Sequence, residues 1–217
     1  MVSSETGKLG IISRAKESVT APRLRYREVR APLRAYLSDI NRPKPVIHAA
    51  RQMLQQRADD ASQKPFARED AKLSIDALDA LLRMDNQLSG FDFTQAPTSQ
   101  KKLVLAGVDV SVNVDLLTHR TKGGEEQVGG ALFRFTKADE ETEAAAAKRR
   151  EIGAYAATLV QMQIRTHLAG NRKPTHSLCM SIDVQAEEVH IAPRNYAQKA
   201  QNLENACRFI AAMWGTA

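Results

Sequence analysis

Aromatic residues are scarce in this chain. Phe, Trp and Tyr together supply 5% of its 217 residues, so a core must be assembled mostly from Ala, Val, Leu and Ile. Cysteine is scarcer still. Cys179 and Cys207 sit inside apolar patterns without metal-ligand spacing, which excludes a disulfide scaffold and predicts reduced core residues in a cytoplasmic protein. The five histidines show no zinc spacing either. No apolar run is long enough to span a bilayer, so no membrane partner is expected. The early stretch "GIISRAK" lacks the apolar centre of a secretory signal. What remains is an ordinary globular balance, 43% hydrophobic and 26% charged, with length for one full domain and a small helical addition.

The net charge of +6 is unevenly placed: the first sixty residues hold 12 Lys/Arg against 6 Asp/Glu, and the rest of the chain balances at 19 each. A surplus confined to one end suits an arm or helix facing an acidic partner, nucleic-acid phosphate among them, or a solvated basic face.

Residues 1–20 are polar and aperiodic and are expected to form a flexible arm. A basic helical extension follows over 21–62. Its first helix, "PRLRYREVRAPLRAYLSD", places Arg23, Arg27, Arg30 and Arg34 three or four residues apart on one face. Pro32 implies a kink there, or two short helices. The second helix, "PVIHAARQMLQQRADD", turns Val46, Ala50, Met53 and Leu54 inward. In the third, Ala71, Ile75, Leu78 and Leu82 form a stripe. "TQAPTSQ" reads as a connector.

The pattern then changes period. "KLVLAGVDV" and "VDVSVNVDLL" alternate, with Val108, Val110, Val112, Val114 and Leu116 on one face. "THRTKGGEEQ" reads as a loop and "VGGALFRFTK" as a strand. A long helix with acids at its start follows, then a strand and hairpin, "SLCMSIDV" and "VHIAP", and a last amphipathic helix. The fold class is α/β (α+β): a mixed four- to five-stranded sheet flanked by helices, in an α-β-β-β-α-β domain over 63–217.

Three motifs carry a resemblance: "GVDVSVNVDLL", "ALFRFTK" and "EIGAYAATL". In this order they resemble the PD-(D/E)xK nuclease superfamily, closest to its RecB-type exonuclease branch, over about residues 66 to 192. The likeness makes Asp115 the retained first acid, matches Thr136 to a threonine, and gives Glu151 and Tyr155 the spacing of a helical Q-x-x-x-Y motif. It implies Mg²⁺ held by carboxylates. In the best register, however, the acid and lysine positions fall on Phe133 and Phe135, which neither ligate a metal nor offset phosphate charge. On this reading both rings fill the cleft.

The resemblance therefore implies a catalytically degenerate nuclease fold, serving as a nucleic-acid-binding or scaffolding subunit of a DNA-processing or defence assembly, with no cofactor. Two alternatives stay open. One is an active Mg²⁺-dependent nuclease with a migrated site of Asp115, Glu151 and Lys148. The other is an interaction protein whose basic segment docks other protein subunits. If nucleic acid is the partner, DNA or RNA, the arginines Arg23, Arg27, Arg30 and Arg34 predict backbone contact, since no aromatics are interleaved with them. His119 is expected in a solvent-facing turn, and Asp183 at the surface.

Overall fold

The computed structural model describes residues 5–17, 25–135 and 142–215. The chain is helical over α1 (Glu5–Glu17), inside the segment expected as an arm, and Ile12 is buried there. This helix follows from packing against the C-terminal helix, since its own sequence has little apolar periodicity.

The basic segment forms α2 (Arg30–Ser38) and α3 (Lys44–Asp59). α2 starts at Arg30, so Pro32 falls in its first turn, where backbone N–H groups have no helical acceptor and proline costs nothing. α3 buries Ile47, Leu54 and Ala58; of the expected stripe Leu54 is buried and Ala50 packs against the same core, while Met53 is 47% exposed. α4 (Pro65–Arg83) buries Ala71, Ser74, Ile75, Ala77, Leu78, Ala80 and Leu81, a wide stripe at helical spacing. The short α5 (Asp85–Leu88) follows.

The strands are β1 (Asp92–Gln95), β2 (Leu103–Leu105), β3 (Val108–Val110), β4 (Leu116–Lys122), β5 (Glu125–Arg134), β6 (Lys173–Asp183) and β7 (Glu188–Ile191). β1, β4, β5, β6 and β7 form one sheet in that order. β5 and β6 run parallel, joined through α6 (Glu143–Gln163), and the other neighbours are antiparallel. The sheet is therefore mixed and five-stranded, within the expected four to five strands, although β2 and β3 stand outside it and β1 is not among the expected strands. β2 and β3 pair only with each other, around a turn in which Ala106 and Gly107 have φ of 49° and 82°.

Two expected boundaries move. The alternating run from Val108 to Leu116 is not one strand: residues 111–115 leave the ladder, although Val112 and Val114 remain buried. The alternation there reports burial without pairing. The expected loop "THRTKGGEEQ" is instead the tip of the β4–β5 hairpin, turning at Gly123 and Gly124 with φ of 60° and 78°. Both central residues at positive φ make the tight turn that matches strand twist.

Helices cover both sheet faces. On one side α2, α3 and α4 pack against Leu116, Ala131, Phe133, Met180, Ile182 and Val184. The basic segment thus shares a core with the sheet. On the other side α6, the π-helical turn Ile164–Leu168, the β2–β3 hairpin and α7 (Ala197–Gly215) pack around Leu117, Val128 and Cys179. Gly129 and Gly130 sit where the β5–β6 register shifts. A Cβ on Gly129 would strike the Leu178 backbone, and one on Gly130 would lie 2.8 Å from Val114 Cγ1.

Candidate functional site

β4 begins only at Leu116, so the last residues of β5 lack a strand partner on that side. Asp115 takes the place of one. Its backbone N–H donates to Ala131 O at 2.9 Å, and its Oδ2 accepts the Phe133 N–H at 2.8 Å. Arg30 completes the closure. Its Nη1 donates to Asp115 Oδ1 and Oδ2 at 2.8 and 2.7 Å, while its Nη2 donates to Phe133 O at 3.2 Å. The same guanidinium lies 5.1 Å from the centroid of the Phe135 ring, which stacks on Tyr26 at 5.0 Å. Arg30 is fixed by a carboxylate, a carbonyl and an aromatic face together. Asp115 is 6% exposed, and a buried carboxylate requires such partners.

Beside this pair lies a cleft of about 510 Å³, lined by Arg27, Arg30 and Arg34 on one wall and by Ser111, Asn113 and Asp115 on another. Leu132 of β5 and Ala156 and Leu159 of α6 add apolar surface. Gln100 fixes the 111–115 wall, donating from Nε2 to Val114 O at 2.8 Å and accepting from the Val114 N–H at 3.0 Å. Arg27 and Arg34 have no ion pair among the described residues, and Arg34 Nε is buried without a hydrogen-bond partner.

Of the arginines expected on one face, the fold brings Arg27, Arg30 and Arg34 to this cleft, and Arg23 lies outside the described residues. Asp115 is there too. Glu151 and Lys148 are exposed on the first half of α6 and do not line the cleft. Thr136 lies outside the described residues. Tyr155 is buried, its hydroxyl accepting from Asn202 Nδ2 at 2.9 Å.

The register read from "ALFRFTK" is corrected by one residue. Phe133 is 1% exposed and packs with Leu33, Met180 and Ile182 on the α2–α4 side of the sheet. The β5 residues facing α6 and the cleft side are Leu132 and Arg134. Leu132 joins the α6-side cluster and lines the cleft, and Arg134 reaches Asp183 at 3.3 Å. A one-residue shift exchanges the faces of a strand, so two phenylalanines expected in the cleft belong to the opposite core.

Asp183, expected at the surface, is fully buried. Arg149 from α6 donates Nε to Oδ2 and Nη2 to Oδ1, each at 2.8 Å, and Arg134 adds the second cation. This carboxylate–guanidinium fork raises the Arg149 pKa, while burial lowers that of Arg134. No local motif announces the cluster, since its residues come from β5, α6 and β6. His119, expected in a turn, lies in β4. Its Nε2 is 2.7 Å from Thr94 Oγ1 and its Nδ1 is 3.4 Å from Arg172 Nη1, and burial lowers its pKa. Burial also pushes the Cys179 thiol up to about 12, and both cysteines are free and buried.

A Mg²⁺ ion does not suit the donors at Asp115. It is the one carboxylate among the described residues lining the cleft, and both its oxygens already accept hydrogen bonds. Among the described residues no group of three or more His, Cys, Asp and Glu side chains is arranged to hold a metal.

Fold and cleft together define an α+β domain, a mixed sheet between two helical layers, with an arginine-lined cleft at the edge where β4 begins. No family model matches the chain, and no curated protein matches it. No helix among the described residues is long and apolar enough to cross a membrane.

Proposed function

We propose that this protein binds the phosphate backbone of DNA or RNA in the arginine-lined cleft without cutting it, as a nuclease-like fold whose site has degenerated and which serves as a subunit of a larger nucleic-acid-processing assembly. The observation that carries this reading is the pair Arg27 and Arg34: two cationic side chains opening on one cleft with no counter-ion among the described residues. Guanidinium groups suit phosphate oxygens, and the polar wall of Ser111 and Asn113 supplies further hydrogen bonds without reading bases. The absence of catalysis is supported by Asp115, whose carboxylate is engaged by Arg30 and the Phe133 N–H, and by Leu132, which has no donor atom.

The test is binding of labelled single- and double-stranded DNA and RNA across a salt series, beside cleavage assays with Mg²⁺ or Mn²⁺. Affinity should fall with salt, and Arg27→Gln and Arg34→Gln should each reduce the slope of log K against log[salt] by about 0.7 to 0.9. No binding, or a flat salt response, overturns the nucleic-acid reading. Cleavage that disappears in Asp115→Ala overturns the degenerate one.

A further inference from the structure

Resting on the reading of this cleft as a phosphate site, we infer that Asp115 is a charge-neutralising positioning residue that sets how many phosphates the cleft engages. Three arginines line the cleft, but one of them is already paired. Arg30 Nη1 lies within hydrogen-bond distance of both Asp115 oxygens, and Nη2 holds the Phe133 carbonyl. The Asp115 side chain is 7% exposed and that of Arg30 is 38% exposed, so the pair meets the cleft as a dipole with no net charge. A phosphate chain approaching it gains nothing from counterion release at Arg30, and the cleft acts with the charge of Arg27 and Arg34 alone.

The pair has its own reason to exist apart from any ligand. It closes the edge of β5 where β4 has not yet begun, giving Phe133 N–H an acceptor and Phe133 O a donor that a neighbouring strand would otherwise supply. Asp115 thus has a sheet-capping duty that fixes it in place, and the neutralisation of Arg30 follows from that geometry. The consequence runs against the usual result of removing a site acid. Asp115→Asn keeps an oxygen for the Phe133 N–H but releases the full charge of Arg30 into the cleft. Binding should tighten and become more salt-dependent.

The experiment is anisotropy with a labelled single-stranded oligonucleotide and its duplex, from low to moderate salt. Wild type, Asp115→Asn and Arg30→Gln/Asp115→Asn are compared, each with its thermal transition recorded. The single variant should raise the salt slope by about 0.7 on the single strand and about 0.9 on the duplex. The double variant removes both charges and should return to the wild-type slope. If the single variant does not fold, the slope of the double variant still decides between a neutral pair and a working Arg30. An unchanged or reduced slope in the single variant overturns the inference while leaving the cleft reading standing. A double variant with a slope clearly below wild type overturns it as well, because Arg30 would then be a phosphate contact in its own right. Absence of wild-type binding removes both.

Discussion

Arg149 grips both carboxylate oxygens of Asp183 at 2.8 Å, across the layer between α6 and the sheet. Asp183 has no exposure at all, and its second cation, Arg134, is farther off at 3.3 Å. A buried ion pair adds little over an apolar substitute, but its half-removal is severe. Arg149→Met should therefore cost about 3 to 5 kcal/mol, since it leaves the buried carboxylate with only Arg134 and the Ala186 N–H, each at 3.3 Å. Urea unfolding monitored by circular dichroism measures this. A loss under about 1 kcal/mol would mean that Arg134 and the Ala186 N–H together satisfy Asp183.

Two histidines make stability depend on pH. Burial lowers the pKa of His119, helped by Arg172 and opposed by Asp92 and Glu126. Burial also lowers that of His190, where Arg134 and Arg149 lower it further and Glu188 and Asp183 oppose. Each folded value lies below the ordinary 6.5. In the window between folded and ordinary values the unfolded chain holds a proton that the folded chain refuses. Stability is then fully present above 6.5 and falls as pH drops through the window. The urea midpoint should decline between pH 7 and 5, and His190→Gln should flatten part of that decline. A midpoint indifferent to pH would sink the argument.

Two glycines separate packing from backbone freedom. Gly129→Ala would drive a methyl into the Leu178 backbone, which cannot swing aside as a side-chain tip can. We expect a loss of about 1 to 3 kcal/mol, or more if β6 must shift. Gly90→Ala meets nothing within 4 Å and carries no positive φ. It should be neutral, or stabilising by up to about 1 kcal/mol through the unfolded chain. Paired thermal melts decide both.

Phe133 and Phe135 should differ although they are two residues apart. Phe133 is 1% exposed in the α2–α4 core, so Phe133→Ala should cost about 3 to 5 kcal/mol. Phe135 is only half-buried, packing on Tyr26 and the Arg30 guanidinium. Its removal should cost less in denaturant but loosen Arg30, visible as a changed salt slope in binding. Equal stability losses would contradict the placement of Phe133.

Much of this is legible in sequence, and the exceptions have physical causes. α4 can be read because its apolar stripe is wide and uninterrupted. β1 leaves no signal because it is four residues long with only Phe93 buried, too little to show a period. Val112 and Val114 imitate a strand because burial alternates there while hydrogen bonding does not. At the cleft, the shared face of Arg30 and Arg34 on α2 can be read from spacing, whereas Arg27 precedes the helix in a turn and reaches the cleft through the tertiary fold. The Arg30–Asp115 contact cannot, since it joins residues 85 apart that only the tertiary fold brings together. The same holds for Asp183, which a local reading places at the surface. Only the arrival of arginines from β5 and α6 makes its burial tolerable.

The first core couples Leu33, Ile47 and Leu54 to Phe133, Met180 and Ile182, which lie far downstream. During synthesis the chain emerges from its N-terminal end, so α2, α3 and α4 leave the ribosome well before the strands that cover them. Their apolar stripes must wait through the making of roughly a hundred further residues, at ~5 to 20 residues per second. For those several seconds the helices have only one another for cover, so their apolar stripes are the part of this core that waits longest for burial.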